Sequence, residues 1–438
     1  MRYTRTNTAG AARARHRWAA AATLCLALGA AGGCNEILKS EAPALIEEST
    51  LQQSGNAPVI VAGVVADFEC AFASYVATMG TLADEFSDSQ ANAAIWDIDR
   101  RTSFPSTALY ATGGCGGFGG VYTPVSAARY QADNGLKLLD GWTDAEVPGR
   151  QSFIARTAAY AGYSLILLGE GFCSAAIDLG PELTPVQVLT QAEARFTRAI
   201  TIATAVGGAS GDSLRFLALV GRARARINQA KFAEAAADAA LVPTGFVFNA
   251  RYSSASGRSE NRVFRVNNAN GTVTVDQSFR GLNAGAAADS RVAVVDAGRG
   301  GSFPQIRLFS QEKYTSLNAP IPIATWREAR LIQAEAAAQA GNAAGAVGFI
   351  NSLRTRTGVA LPAFASTDVA AVRAQIVEER RRELFIESHR LYDTIRFRIA
   401  LNPAPGTPFP NGGGTYGENK CLELPDVERL NNPNLRGM

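Results

Sequence analysis

Cys34 is the residue whose neighbours specify a chemistry most narrowly. Ala31, Gly32 and Gly33 precede it, and small residues at such a point give a processing enzyme access to the backbone. Upstream, Arg2, Arg5, Arg13, Arg15 and Arg17 form a positive segment, and the apolar run Trp18 to Leu28 follows. That run is too short to span a bilayer. Residues 1–33 therefore read as a lipoprotein signal peptide, with Cys34 as the lipidated residue. Ala31 stands where Leu is usual, which leaves plain cleavage and secretion as the other reading. Several acyl chains hold a protein where a single chain binds only marginally. Ser40 to Gly55 is polar and aperiodic, so residues 34–55 read as a tether.

Residues suited to catalysis are scarce. His389 is the only histidine after the signal, and no nucleophile motif accompanies it, so a packing role is expected. Asp84, Glu85 and Asp88 cluster, as do Asp97 and Asp99. Two carboxylates suffice for glycoside hydrolysis, but such clusters are common on solvated loops, and that is how they read here. The run Gly113 to Gly120 has no Lys, Ser or Thr placed to take a phosphate, and reads as a flexible or tightly turned loop. No catalytic residue and no cofactor are assigned, and the chain is not read as an enzyme.

Binding chemistry is better represented. Trp96, Phe104, Tyr110, Phe118 and Tyr122 fall in one long polar stretch, off any strong helical stripe. Exposed rings stack on the apolar faces of sugars while polar side chains bond the hydroxyls, so a pocket of this kind binds without reacting. These five are the candidate ligand-binding residues. Any one of them has an equal chance of being a small satellite core residue under the loop.

Cys70, Cys115, Cys173 and Cys421 follow Cys34. In an exported chain four cysteines suit two disulfides, with three possible connectivities. None forms a CxxC pair, so no metal site is expected. The chain has 42 basic and 39 acidic residues. Five of the basic ones precede Cys34, which leaves 37 against 39 in the mature chain, without the positive excess that nucleic-acid binding requires.

These residues must be positioned by helices. Helical periodicity runs from Ala57 to Leu82, Ser126 to Asp140 and Gln151 to Leu168, and again from Thr184-Pro185, a cap followed by Pro at the first helical position. Leu214 to Ile227 leads into Lys231 to Leu241, and Thr325 to Ala340 into Ala343 to Arg356. Ala225 and Ala235 share the spacing of Ala336 and Ala346, so small residues let each pair approach closely, as in a tetratricopeptide unit. Insertions at about 84–122 and 242–320 interrupt the scaffold, and segments this long usually carry a site. Within the second, Arg262 to Val266 and Thr272 to Val275 alternate around Asn270-Gly271, which predicts a small β-hairpin. Glu378 to Arg398 predicts one continuous helix with a salt-bridged face, pairing Glu378 with Arg382 and Glu387 with Arg390.

That last segment, Glu379-Arg-Arg-Arg-Glu-Leu-Phe385 through Asp393 to Arg396, resembles the C-terminal signature of the SusD/RagB family, with Ile386 and Ser388 departing from it. Trp326 to Glu335, the turn Gly341-Asn342, Asn351 to Gly358, and Cys421 to Pro425 with Asn432-Pro433-Asn434 resemble further family elements. Good specificity covers 320–438, and residues 126–235 match more loosely. The resemblance implies a mostly α-helical, SusD-like fold over 56–438, with four tetratricopeptide-like helix pairs in a right-handed scaffold. It also implies a cell-surface, outer-membrane lipoprotein that delivers an oligosaccharide or peptide nutrient to a SusC-like TonB-dependent transporter. The matching motifs are scaffold motifs, so none carries a ligand residue over. Other readings are a helical-repeat envelope adaptor for protein–protein interaction and, less favoured, a secreted glycosidase.

Overall fold

The long apolar stretch after Pro58 forms helix α1, Ala57–Ala83, with Pro in its first turn where no intrahelical N–H is needed. It is long and apolar enough to cross a membrane, yet it is a core helix. Phe68, Phe72, Tyr75 and Met79 are buried, and Phe68 meets Tyr160 edge-on at 5.1 Å. The computed structural model describes residues 52–284 and 287–435. The signal and Cys34, together with all of the tether before residue 52, lie outside the described residues. Residues from Ser54 to the end form one unit.

After α1 come α2, Ala93–Asp99, and α3, Ala108–Thr112. Four helices then follow in close succession: α4, Tyr122–Gly141; α5, Arg150–Gly171; α6, Pro185–Val206; and α7, Gly208–Asn228. Each packs on the next. Thr184 opens α6 with a reciprocal capping box, its hydroxyl accepting from Gln187 N while Gln187 Oε1 accepts the Thr184 N–H. Phe196 of α6 fixes the spacing of three helices. A Cβ on Gly162 of α5 or Gly221 of α7 would lie 2.8 or 2.4 Å from its ring, so only glycine allows this approach.

Helix α8, Phe232–Ala240, pairs with α7, and beyond a short turn α9, Arg262–Phe264, lie α10, Trp326–Gln339, and α11, Ala343–Arg354. The two helix pairs expected from alanine spacing are present, with Ala225, Ala235 and Ala346 fully buried. Their turns match as well. Ala230 and Gly341 occupy equivalent places and both have positive φ, 59° and 76°.

The expected hairpin around Asn270-Gly271 does not form. Asn261 caps Phe264 N at 3.0 Å, and residues 262–269 continue as α9 and a π-helical turn that buries Val263 and Val266 three apart on one face. Strands in this region pair at longer range. With β1 as Phe86–Asp88, β2 as Val247–Ala250, β3 as Val273–Val275, β4 as Val294–Gly300, β5 as Arg307–Gln311 and β6 as Ile321–Thr325, the pairs are β1 with β3, β2 with β6, and β4 with β5, all antiparallel. The longer local hairpin of the second insertion is β4–β5, beside a short pair, Asn283–Ala284 with Ala287–Ala288.

The C-terminal signature is broken in two. Helix α12, Val369–Glu383, ends at Leu384, and α13, Arg390–Arg396, begins after His389. Ile386 and Ser388 both adopt left-handed backbone, φ 48° and 69°, which stops helical propagation. Glu378 still reaches Arg382 at 2.6 Å. Glu387 does not meet Arg390: it bonds Lys313 at 2.6 Å and Arg327 at 2.9 Å. Most of the charges on this segment are buried, so the expected solvated face is an internal ion network. Arg291 joins Asp289, Glu379 and Glu383, and Arg354 and Arg356 reach the same two glutamates. Buried charges survive only when paired in this way. A last helix, α14, Asp426–Asn431, closes the described chain.

Candidate functional site

The first insertion is moored before it is shaped. Cys70 of α1 and Cys115 form one disulfide, and Cys173 and Cys421 the other, which selects one of the three connectivities. Between Gly113 and Gly120 the chain crosses itself so closely that a Cβ on Gly120 would lie 2.4 Å from Gly113. The glycine run is therefore a tight turn. Ser74 Oγ of α1 donates to Gly120 O at 3.0 Å and anchors it.

The five candidate aromatics part company. Tyr110 and Tyr122 are core residues, which corrects their assignment as stacking platforms. The Tyr110 hydroxyl donates to Glu423 O at 3.1 Å and that of Tyr122 to Glu428 Oε2 at 3.0 Å. Burial, then nearby carboxylates, raises both phenol pKa values. They fasten the insertion to the C-terminal tail and present no face to a ligand. Phe118 is half-buried against the main core. Phe104 is 61% exposed, in the turn between α2 and α3.

Trp96, half-buried on α2, has partners the sequence did not suggest. Its Nε1–H donates to Gln90 O at 3.0 Å, which fixes the ring's direction. Phe409 lies 5.7 Å away at a 52° tilt, and Tyr416 stands edge-on to Phe409 at 5.3 Å. Both come from loop 402–417, whose tip is Asn411-Gly-Gly-Gly414. Gly413 passes over Trp96, where an added Cβ would meet Cζ3 at 3.5 Å and Arg100 Nη1 at 3.4 Å. Two arginines hold the loop. Arg100 donates to Gly413 O. Arg101, buried, donates to the carbonyls of Gly417, Asn402 and Pro403 and places its guanidinium 4.9 Å over the Tyr416 ring. The result is an aromatic ledge whose accessible ring is the half-buried Trp96, backed by the buried Phe409, beside an exposed glycine tip.

Beneath this ledge lie carboxylates that were expected on solvated loops and are buried instead. Asp88 N donates to Asp99 Oδ2 at 2.6 Å, and Gln90 bonds Asp88 through both its N and its Nε2. Burial outweighs these bonds and pushes Asp88 up to about 6 and Asp99 up to about 8. Asp84 and Glu85 are buried as well, committed to Arg390 and to the Ile386 N–H. None of the four has the open, water-facing geometry of a glycosidase pair.

His389 is fully packed. Arg224 Nη1 donates to its Nε2 at 3.2 Å, and burial, reinforced by Arg224, drops its pKa well below the ordinary value. The ring is neutral and faces no cleft. Among the described residues no group of three or more His, Cys, Asp or Glu is placed to hold a metal ion. An apolar groove of about 460 Å³ runs between α8, α10 and α11, lined by Phe232 and Phe349 among alanines. It has no chemistry beyond packing.

Trp96 was visible in the sequence. Phe409, Tyr416, Arg100 and Arg101 were missed. The signal that points to them is the run Pro408 to Gly417, where aromatics flank a glycine triplet as a presented turn would.

A helical-repeat scaffold carrying long insertions defines a tetratricopeptide-like helical architecture. Residues 318–422 match the SusD family. Solved structures share the fold across most of the chain. A SusD superfamily protein from Bacteroides fragilis aligns at 14% identity over 88% of this chain and 99% of that one, with a TM-score of 0.68. A SusD-like carbohydrate binding protein from Bacteroides vulgatus aligns at 16% identity over 88% and 97%, with a TM-score of 0.64. Surface glycan-binding protein A from Bacteroides fluxus aligns at 16% over 87% and 97%, with a TM-score of 0.63. No curated protein matches the chain by sequence.

Proposed function

We propose that this chain is a non-catalytic, cell-surface lipoprotein of the outer membrane that captures an oligosaccharide and delivers it to a SusC-like TonB-dependent transporter. Cys34 carries the lipid, residues 1–33 are the export signal, and 34–55 form the leash to the folded unit. The observation that carries the reading is the half-buried Trp96 ring on a SusD fold, backed by the buried Phe409 and with the exposed glycine tip beside it. Such a surface binds a sugar through its apolar face and hydroxyls. Relatives of the same fold described as carbohydrate- or glycan-binding support the ligand class.

The test is binding of neutral oligosaccharides to the full chain in detergent, alongside Trp96→Ala. Loss of the ring should weaken binding about tenfold, equivalent to roughly 1.4 kcal/mol. Unchanged affinity would remove the ledge from the site. Recovery of the protein with a barrel transporter under mild detergent supports delivery, and isolation alone counts against it. Cys34→Ala should abolish metabolic labelling with a fatty acid.

A further inference from the structure

An open concavity of about 560 Å³ lies beside the N-terminal part of α7 and the β2–β6 ribbon. Its walls combine the beginning and the end of the 242–320 insertion. Four polar side chains line it: Ser213, Asn249, Arg251 and Asn318. None of the four side chains has a hydrogen-bond or ion-pair partner among the described residues. Buried guanidiniums such as that of Arg390, in contrast, fork onto carboxylates. No carboxylate lines the concavity, and Phe248 and Tyr252 supply apolar wall.

Glu69 lies behind this wall: it accepts the Arg251 backbone N–H at 2.9 Å, and the Tyr252 hydroxyl donates to Glu69 O at 3.1 Å. Burial raises the Glu69 carboxyl to about 7, against the bond from the Arg251 N–H and the nearby Arg251 charge.

These groups form a complementary set. A guanidinium presents paired N–H donors that fit a carboxylate. Amides and a hydroxyl both donate to and accept from sugar hydroxyls. Ring surfaces cover the C–H face of a pyranose, and the volume falls within the usual range for small-ligand pockets, about 300–1,000 Å³. We propose that this concavity binds an acidic sugar residue, a uronic-acid unit, with Arg251 on the carboxylate and Asn249, Asn318 and Ser213 on the hydroxyls. The inference takes its ligand class from the glycan-capture reading but occupies a different place from the aromatic ledge.

The experiment is calorimetric titration of the full chain in detergent with digalacturonate and with the matching neutral galactose disaccharide. The wild type should bind the acidic disaccharide at least about tenfold more tightly, the scale of one charge-assisted hydrogen-bonded contact. Arg251→Ala should erase that preference, Arg251→Lys should keep part of it, and Asn249→Ala should weaken both sugars. Trp96→Ala should leave the preference intact. Equal affinity for the two disaccharides, binding of neither, or a preference that survives Arg251→Ala overturns the proposal. If the preference is absent while neutral oligosaccharides bind and depend on Trp96, this inference fails and glycan capture stands. If the preference follows Arg251 while no neutral sugar depends on Trp96, the ledge fails and this site stands.

Discussion

Arg390 grips Asp84 with both arms of its guanidinium, Nε to Oδ1 at 2.7 Å and Nη2 to Oδ2 at 2.8 Å, across 306 residues of chain. Both side chains are buried, and neighbouring Glu85 accepts the Ile386 N–H at 2.6 Å. The end of α1 is thereby locked to the break between α12 and α13. Removing one partner leaves an uncompensated buried charge. Arg390→Ala should therefore destabilise the protein by about 3–5 kcal/mol in urea unfolding, and Arg390→Lys should recover only part, because it lacks the fork. A loss below about 1 kcal/mol would show that the pair is dispensable.

Ala230 turns from α7 into α8 with φ 59° and is exposed, at the place where the second helix pair has Gly341. Left-handed backbone costs a non-glycine residue about 1 kcal/mol. Ala230→Gly should raise stability by up to about 0.6 kcal/mol after the extra unfolded-state entropy of glycine, about 0.4–1 kcal/mol, is counted. The reverse change, Gly341→Ala, should lower it. A matched pair of thermal melts checks both signs.

Asp99 and Glu85 are buried and each has a pKa raised to about 8, desolvation being the largest cause. An acid that holds its proton more tightly when folded contributes stability at low pH and loses it as pH rises from its unfolded value toward its folded one. Between about pH 4 and 8 the folded state binds more protons than the unfolded state. Each group should then lower stability by at most about 1.4 kcal/mol per pH unit on rising pH. Asp99→Asn should flatten that slope. A slope that is unchanged in Asp99→Asn would mean that Asp99 is ionised in the folded protein across this range.

Gly413 sits over Trp96 with φ 77° and with Cβ-distance neighbours on two sides. Gly413→Val would strain the backbone and push on the Trp96 ring and Arg100. The expected readout is a change in tryptophan emission together with weaker oligosaccharide binding, at near-normal global stability because the tip is exposed. Binding and emission both at wild-type values would show that the tip has no part in the ledge.

Local features were legible in the chain. The helices around Phe68, Leu136, Leu165 and Phe196 follow from apolar spacing, the start of α6 from Thr184-Pro185, and the two helix pairs from alanines ten residues apart. These depend on neighbours within a few turns, where side-chain periodicity dictates which face is buried. The aromatic ledge was half legible. Trp96 announced itself in a long insertion, but its partners Phe409 and Gly413 arrive from a loop more than 300 positions later.

Sequence alone determined the helical scaffold and the family likeness of residues 320–438. Tertiary structure alone decided where the charges went. Glu387 and Arg390, spaced for a surface pair, take separate buried partners because α12 ends at Glu383 and α13 begins only at Arg390, with left-handed Ile386 and Ser388 in the break. Tyr110 and Tyr122 became core under the C-terminal tail, and Asp88 and Asp99 became buried acids. Periodicity specifies which residues share a face. Which distant segment covers that face depends on burial, and burial is settled only when the whole chain has folded.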